Sequence, residues 1–349
     1  MGNADKAVLR LGLGMGLSVA VAWGVALEAA FMAPVMTVTL LAKPGPPIPP
    51  VKGVVLALVV AALLLAGVLT VPILEYYPLT GILLTGALFY TVSYTSARKA
   101  NPLTLFMHVA LVFIPVAGVA EQAASTVLAR TVGVALIIGV MASFISHAVF
   151  PDTPGAERAA AAPPVGASPE AAHQIALQSW MVVMPVFLLA LWNPPMFLQC
   201  VMKTVGLGQQ VGGMNARTAG RQLVGSTVLG AFLAMVVWGG LTLRPNLWMF
   251  ALWIAAVSIW VGMRLFQIKA NPFPPSYWLN VLMTLFFVLG PAITDSENGN
   301  DVYVAAAMRT GLFVLIAIYA STTVWAFERW RDARSGSLSS RTQLERKKT

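Results

Sequence analysis

Long apolar runs recur along the whole chain, separated by short stretches that contain Pro, Gly, Asn or charged residues. Most runs approach the roughly 20 residues that an α-helix needs to cross about 30 Å of hydrocarbon. The alternating pattern of a membrane β-barrel is absent from the sequence. The pattern therefore predicts an all-α, polytopic transmembrane helical bundle. Its twelve predicted spans cover residues 11–27, 29–42, 53–72, 78–96, 103–120, 126–149, 174–192, 195–211, 218–239, 246–265, 276–293 and 303–327.

The tetrapeptide Lys-Ala-Asn-Pro occurs twice, beginning at Lys99 and again 170 residues later at Lys269. Further residues match at offsets that drift from 160 to 179, as loop insertions would produce. These matches are Pro34 with Pro194, Met36 with Met196, Lys43 with Lys203, Pro78 with Pro245, Pro115 with Pro291, and Arg130 with Arg309. We interpret the chain as two parallel six-helix repeats, related by a pseudo-two-fold axis along the membrane normal.

The repeat divides the chain into four segments. Residues 1–150 form the first six-span unit and residues 173–330 form the second. Residues 151–172 are rich in Ala and Pro without apolar periodicity, which predicts a cytoplasmic linker. Residues 331–349 are basic and rich in Ser, so we expect a disordered cytoplasmic tail.

Composition supports a membrane protein and excludes an ordinary soluble domain. Only 10% of the residues are charged and the mean hydropathy is +0.78, whereas soluble domains are roughly 25% charged. The net charge of +9 does not predict a nucleic-acid partner, because nineteen Lys and Arg residues fall on one predicted side of the membrane and three on the other. This asymmetry predicts that both termini lie in the cytoplasm. The single cysteine, Cys200, excludes an intrachain disulfide.

Two arginines, Arg130 and Arg309, lie at equivalent places near the outer ends of spans 6 and 12. One interpretation is that they extend to the outer headgroups. The other is that the two guanidinium groups face a central path and attract carboxylates. The repeat favours the second interpretation slightly.

Four further basic residues lie near the predicted cytoplasmic side. Lys43 and Lys203 end short second spans before a Pro-rich and a Gly-rich stretch, so they either line inner gates or are orienting lysines in turns. Arg217 and Arg221 are one helical turn apart at the start of span 9. They fit a cytoplasmic mouth or ordinary anchors equally well.

Asn101 and Asn271 each precede a proline, which favours a helix-capping role, and His108 in span 5 is a candidate proton relay. The sequence contains no phosphate loop, paired-carboxylate site, metal-ligand cluster or nucleophile elbow. We therefore expect no enzymatic activity, cofactor or metal site.

One segment is similar to a known superfamily. Its residues are Arg217, Thr218, Arg221, Gly225, Ser226, Thr227 and Gly230. They resemble the arginine followed by Gly-Thr and a further Gly that marks the fusaric acid resistance (FUSC-like) and aromatic acid exporter superfamily. Arg10 with Gly12 to Gly16, and Pro34, resemble the first half of that superfamily, whereas the serine between Gly225 and Thr227 departs from its pattern.

The resemblance implies an inner-membrane efflux component for aromatic or other organic anions, often paired with a periplasmic adaptor of the membrane-fusion type. Plant malate channels of the same broad superfamily resemble dimers of six-span units with a basic pore, which supports Arg130 and Arg309 as anion contacts.

The leading hypothesis is a secondary transporter that exports small organic anions, aromatic ones by the resemblance. A passive anion channel on the same architecture and a non-transporting membrane assembly subunit are the alternatives. The expected partners are the anion, the lipid bilayer and a periplasmic adaptor, and the sequence leaves an oligomer open.

Overall fold

The computed structural model describes residues 2–42, 45–101, 103–152, 166–211, 216–297, 299 and 301–346. Within these ranges the regular secondary structure is entirely helical. In the first half of the chain the helices are α1 Asn3–Gly24, α2 Met32–Leu41, α3 Pro50–Val68, α4 Val71–Tyr76, α5 Pro78–Lys99, α6 Thr104–His108, a π-helical turn Val109–Phe113, α7 Ile114–Ala120 and α8 Gln122–Val149. In the second half they are α9 Pro169–Trp192, α10 Pro194–Val211, α11 Ala216–Leu243, α12 Leu247–Leu265, α13 Pro275–Glu297 and α14 Val302–Arg346.

Each predicted span coincides with a helix or with a short series of helices, but the twelve do not all qualify as membrane spans. Eight stretches within the described ranges are long and apolar enough to cross a membrane. They are Asn3–Gly24, Pro50–Tyr76, Gln122–Val149, Pro169–Trp192, Gly220–Leu243, Leu247–Leu265, Pro275–Ser296 and Val302–Arg329. The chain is therefore a helical membrane protein in which eight of the predicted spans have the expected length and hydropathy.

The other four predicted spans differ from a full apolar helix for separate reasons. Helix α2 has 10 residues, so it covers about half of the hydrocarbon thickness at 1.5 Å per residue. Predicted span 5 is divided into α6, the π-helical turn and α7. Helices α5 and α10 carry more polar residues, including Tyr90 and Lys203, than the eight apolar stretches.

Prolines account for several helix starts. The first residue of α3, α5, α9 and α10 is a proline, which lacks the backbone N–H that would be unsatisfied there. Ser168 caps α9 by accepting a hydrogen bond from the backbone of Ala171, and Asn246 caps α12 in the same way. Ala100, with φ of 49°, ends α5 in the left-handed conformation.

Helices of the first half of the chain pack against helices of the second half, and we call these the exchanged contacts. Helix α1 packs against α12, and α5 packs against α9. Helix α2 packs against α13, and the α6–α7 segment packs against α10. Within the halves, α3 packs against α8 and α11 packs against α14. The short α2, the interrupted α6–α7 segment and the more polar α10 therefore take part in the contacts between the halves.

Polar contacts join chain segments that the sequence predicts on one side of the membrane. At the start of α1, Arg10 bonds to Asp152 at 2.8 Å and Lys6 bonds to the Pro151 carbonyl at 2.9 Å. Just before α9, the Ala167 amide donates to the Ala97 carbonyl at 2.9 Å. The beginning of α1 therefore lies beside the end of α8, and the end of α5 lies beside the beginning of α9.

Two segment boundaries differ from the sequence interpretation. The expected disordered tail, residues 331–349, continues α14 as helical backbone to Arg346. Helix α9 begins at Pro169, inside the predicted linker 151–172, and residues 153–165 of that linker lie outside the described residues.

Candidate functional site

Lys203 lies inside α10, at the interior of the bundle, and only 1% of it is exposed. The sequence interpretation as a lysine in a cytoplasmic turn is therefore corrected for this residue. Helix α10 continues through Gly206 and Gly208 to Val211, in line with the predicted span 195–211, because glycine is tolerated within helices of membrane proteins. Lys203 is therefore a buried residue of a helix and not a residue of a loop.

Two side chains of α13 accept hydrogen bonds from the Lys203 ammonium. The distance from Lys203 Nζ to Asn280 Oδ1 is 2.8 Å, and Thr284 Oγ1 is the second partner. Asn280 Nδ2 donates in turn to Ser226 Oγ of α11 at 2.6 Å. All four side chains are buried. They form one polar chain across α10, α13 and α11, which we call the Lys203 cluster.

A glycine brings two of these helices together beside the cluster. A Cβ atom at Gly230 of α11 would lie 2.6 Å from the Val281 carbonyl oxygen and 2.7 Å from Thr284 Cβ on α13. The absence of a side chain at Gly230 thus allows α11 to approach α13 closely. This approach holds Ser226 within reach of Asn280.

The Lys203 cluster contains no carboxylate. Among the residues whose side chains are described, the buried basic residues are Arg10, His108 and Lys203, and no Asp or Glu is buried. Arg10 has Asp152 as its ion partner, whereas both hydrogen-bond partners of Lys203 are uncharged. A buried charge is stable only when it is paired or satisfied by hydrogen bonds. Lys203 therefore has the character of an anion-binding group.

His108 is the second buried basic residue outside an ion pair. Its Nε2 atom lies 2.8 Å from Ser93 Oγ on α5, and its ring stacks on Phe89 with 4.2 Å between ring centroids. Its Nδ1 atom is buried and has no hydrogen-bond partner. It is the last residue of α6, immediately before the π-helical turn.

Asn101 and Asn271 form the same local hydrogen bond. Asn101 Oδ1 accepts from the Leu103 amide at 2.9 Å, and Asn271 Oδ1 accepts from the Phe273 amide at 3.1 Å. Each bond bridges the proline that follows the asparagine. Asn271 also accepts from the Trp278 indole at 2.9 Å. Both side chains thus make Asx-type turns before the helices, and neither is the residue next to a helix start, since α6 begins at Thr104 and α13 at Pro275.

Arg130 and Arg309 each have a carboxylate nearby, but the two pairs differ. Arg309 bonds to Asp295 at 2.5 Å, and the two side chains are 21% and 15% exposed. Arg130 lies 3.8 Å from Glu28, and these side chains are 74% and 57% exposed. The guanidinium of Arg309 is already neutralised, which makes it a weaker candidate for anion binding than Lys203.

The remaining sequence candidates contribute no described site geometry. Arg221 is exposed at the beginning of α11. Arg217 belongs to the same helix, but its side chain lies outside the described part of the structure, and Lys43 lies outside the described residues altogether. The four basic residues near the predicted cytoplasmic side therefore do not form one group: Lys203 is buried and Arg221 is exposed.

The sequence analysis named Lys203 but missed the role of its partners. Asn280 and Thr284 are polar residues one helical turn apart within an otherwise apolar run, which is a signal that could have indicated them. From the sequence, Ser226 is a small residue that allows close helix packing and a departure from a superfamily pattern. The structure makes it the end of the Lys203 cluster.

Two apolar grooves lie apart from this cluster. One, of about 530 Å³, runs between α5 and α9 and is lined by residues that include Gly86, Tyr90, Trp180 and Met184. The other, of about 250 Å³, lies between α9, α10 and α14. Both are almost entirely apolar, so neither offers a group that would bind a charge.

These features define the class of protein: a helical membrane protein with a buried, uncompensated lysine in its interior. A family described as a protein of unknown function (DUF2955) matches residues 7–146. No curated protein and no solved structure matches the chain.

Proposed function

We propose that this protein transports small organic anions across a membrane, and that the Lys203 ammonium contacts the anionic group of the substrate. The single observation that carries the proposal is the burial of Lys203 with only uncharged partners. A charge at membrane depth costs several kcal/mol unless it has a partner, and such residues usually mark substrate or ion pathways.

The hydrogen bonds of the Lys203 cluster leave one donor of the ammonium group for an anion. A lysine ammonium has three N–H donors, and Asn280 and Thr284 account for two of them. The third donor is available to a carboxylate or a comparable anion. The Asn280 bond to Ser226 orients the amide so that its oxygen faces the ammonium.

We further propose that the two halves are copies of one six-helix unit. The exchanged contacts of α1 with α12 and of α5 with α9 are what a pseudo-two-fold axis would produce. The matching asparagine bonds at Asn101 and Asn271 also support it. The DUF2955 match, residues 7–146, falls within the first proposed unit. Under this proposal α10 lies between two corresponding segments, α6–α7 and α13.

The proposed location is the bacterial inner membrane, with both termini in the cytoplasm. The excess of Lys and Arg on one predicted side supports this orientation. The contacts of Arg10 with Asp152 and of Ala167 with Ala97 join segments assigned to that same side. Export as the direction, aromatic acids as the substrates and a periplasmic adaptor rest on the superfamily resemblance alone.

The test is transport of labelled phthalate and labelled benzenesulfonate in vesicles that contain the purified protein. Both probes are aromatic anions that cross protein-free vesicles slowly. We expect flux in the wild type and a decrease of about 30-fold or more in Lys203→Gln, since loss of one partner of a buried charge contact costs 2–5 kcal/mol. Lys269→Gln, at an exposed position, is the matched control and should transport like the wild type.

Three results would count against the proposal. Flux of the Lys203→Gln protein at the wild-type rate would remove the role of Lys203. Absence of flux for both probes would reject transport of this class and favour the assembly-subunit alternative. Flux that rises with anion concentration without saturating, and that generates a current set only by the anion gradient, would identify a channel instead of a carrier.

A further inference from the structure

His108 is buried like Lys203 but belongs to the other half of the chain. It is 2% exposed, and its surroundings are the Ser93 hydroxyl at Nε2 and the face of the Phe89 ring. In the tautomer in which Nε2 donates to Ser93, the buried Nδ1 atom carries a lone pair that no described group occupies. This nitrogen can accept a proton without breaking an existing bond.

The position of His108 relates it to the Lys203 cluster. The segment α6–α7 that carries His108 packs against α10, which carries Lys203. In the proposed repeat the tetrapeptide offset of 170 residues places His108 opposite Trp278, whereas the Pro115–Pro291 offset of 176 residues places it opposite Thr284, a partner of Lys203. The repeat therefore gives His108 no single counterpart, and the contact of α6–α7 with α10 carries the relation.

The titratable and basic groups on the elements that pack against α6–α7 are few and mostly exposed. They are Lys52 on α3, Glu75 and Tyr76 on α4, Tyr90, Tyr94, Arg98 and Lys99 on α5, Arg130 and His147 on α8, Glu170 and His173 on α9, and Cys200 and Lys203 on α10. Only Cys200 and Lys203 among them are buried. Neither Cys200 nor Lys203 is a carboxylate, so neither would compensate the charge of an imidazolium at His108.

Because α6 contacts α10, an imidazolium at His108 and an ammonium at Lys203 would repel each other, and an anion between the two elements would offset this repulsion. A bound anion favours the charged form of His108, and by linkage a proton on His108 favours the bound anion. The two ligands then bind together, without a mid-membrane carboxylate.

The backbone beside His108 offers a route for changing its exposure. In the π-helical turn the Ile114 amide donates to the Val109 carbonyl, five residues earlier. Such a wide turn holds one extra residue. Return to α-helical register would rotate the residues before it, including His108, by about 100° around the helix axis.

We propose that His108 is a proton-binding site coupled to the anion site at Lys203, so that each bound anion is accompanied by uptake of one proton. The proposal rests on the proposed transport function. The proton comes from the aqueous phase, binds to the free imidazole nitrogen, and leaves again when the anion is released. No other bond is formed or broken.

The experiment is calorimetry of benzenesulfonate binding to the detergent-purified, full-length protein in two buffers of different protonation enthalpy. Benzenesulfonate does not titrate near neutral pH, so any proton that is taken up binds to the protein. We expect uptake close to one proton per anion in the wild type, and a dissociation constant that rises about tenfold per pH unit while free His108 is neutral. His108→Gln should show neither effect, and His173→Gln, at an exposed histidine, should behave like the wild type.

Lys203→Arg separates the two basic groups, since arginine stays protonated throughout. Proton uptake that persists in His108→Gln but disappears in Lys203→Arg would assign the proton to Lys203 and overturn the proposal. Wild-type binding without proton uptake would overturn it while leaving the transport function in place. Absence of binding, with no flux in vesicles, would reject both. Thermal unfolding of each variant shows whether its fold is retained.

Discussion

Each half of the chain, in its described residues, buries one basic side chain outside an ion pair, and the chemistry around the two side chains differs. In the second half, the Lys203 ammonium is held by Asn280 and Thr284, which extend to Ser226. In the first half, His108 has one hydroxyl partner and one ring against its face. One half therefore carries a lysine whose side chain donates two hydrogen bonds, and the other carries an imidazole with a free nitrogen.

The difference teaches that similar helix packing does not require similar function. Hydrophobic packing tolerates exchange of residues of similar volume, whereas a buried polar group needs its own partners. Each half can keep its fold while its polar residues diverge. Under our proposals the bound anion contacts Lys203 and is coupled to a proton at His108.

The largest expected effect concerns the close helix contact that both halves contain. A Cβ atom at Gly67 of α3 would overlap the Ala110 carbonyl oxygen in the π-helical turn, and one at Gly230 would lie 2.6 Å from the Val281 carbonyl oxygen. We expect Gly67→Ala to destabilise the protein by about 3 kcal/mol, and Gly230→Ala by somewhat less. Thermal unfolding in detergent measures both. Gly239→Ala, with open space around it, should unfold like the wild type, and equal stability of all three variants would show that these approaches are not tight.

An intermediate effect is expected for the polar groups themselves. Asn280→Leu removes an acceptor from Lys203 and a donor from Ser226, so we expect a loss of about 2 kcal/mol or more. Ser93→Ala, which removes the partner of His108, should cost about 1 kcal/mol because neither group need be charged. Denaturant or thermal unfolding of the two variants gives the comparison.

The double variant sharpens this result. Lys203→Met alone removes both the charge and its need for partners, so its stability should be close to wild type or higher. Combined with Asn280→Leu it should restore most of the stability that Asn280→Leu loses, giving a coupling energy above about 1 kcal/mol. Strict additivity would mean that the hydrogen bond between Lys203 and Asn280 contributes nothing.

The smallest expected effect compares the two arginine pairs. Asp295→Asn leaves the half-buried Arg309 without its ion partner, and we expect a loss of about 1 kcal/mol. Glu28→Gln should change stability by less than about 0.5 kcal/mol, because the pair with Arg130 is exposed and 3.8 Å apart. Thermal unfolding at low and high salt measures both. If Glu28→Gln lost as much stability as Asp295→Asn, the two arginine pairs would not differ in the way that their exposure indicates.

Much of the fold could be predicted from the sequence because apolar runs and prolines act locally. The starts of α5 at Pro78 and of α10 at Pro194 follow from the missing amide of proline. The short α2 and the π-helical turn after His108 could not be predicted, since both depend on which helices pack against them.

The site was predictable only in part. His108 was recognisable as a polar residue within a predicted span, and the asparagines before proline were recognisable as turn-forming residues, whereas the sequence placed Lys203 near the cytoplasmic side. The partners of Lys203 were not recognisable, because α10, α11 and α13 meet only in the folded chain. The burial of Lys203 results from this tertiary contact, which outweighs the local preference of lysine for an aqueous surface.

The exchanged contacts of α1 with α12 and of α5 with α9 also have a genetic consequence. In a pair of identical six-helix chains related by a two-fold axis, one contact would occur twice, so every substitution in it would act on both copies. In one chain built of two such units, as we propose, each contact has its own codons. Gly12 and Gly16, which allow α1 to approach α12 closely, can therefore be inherited independently of Trp180 and Tyr90, which line the groove between α5 and α9.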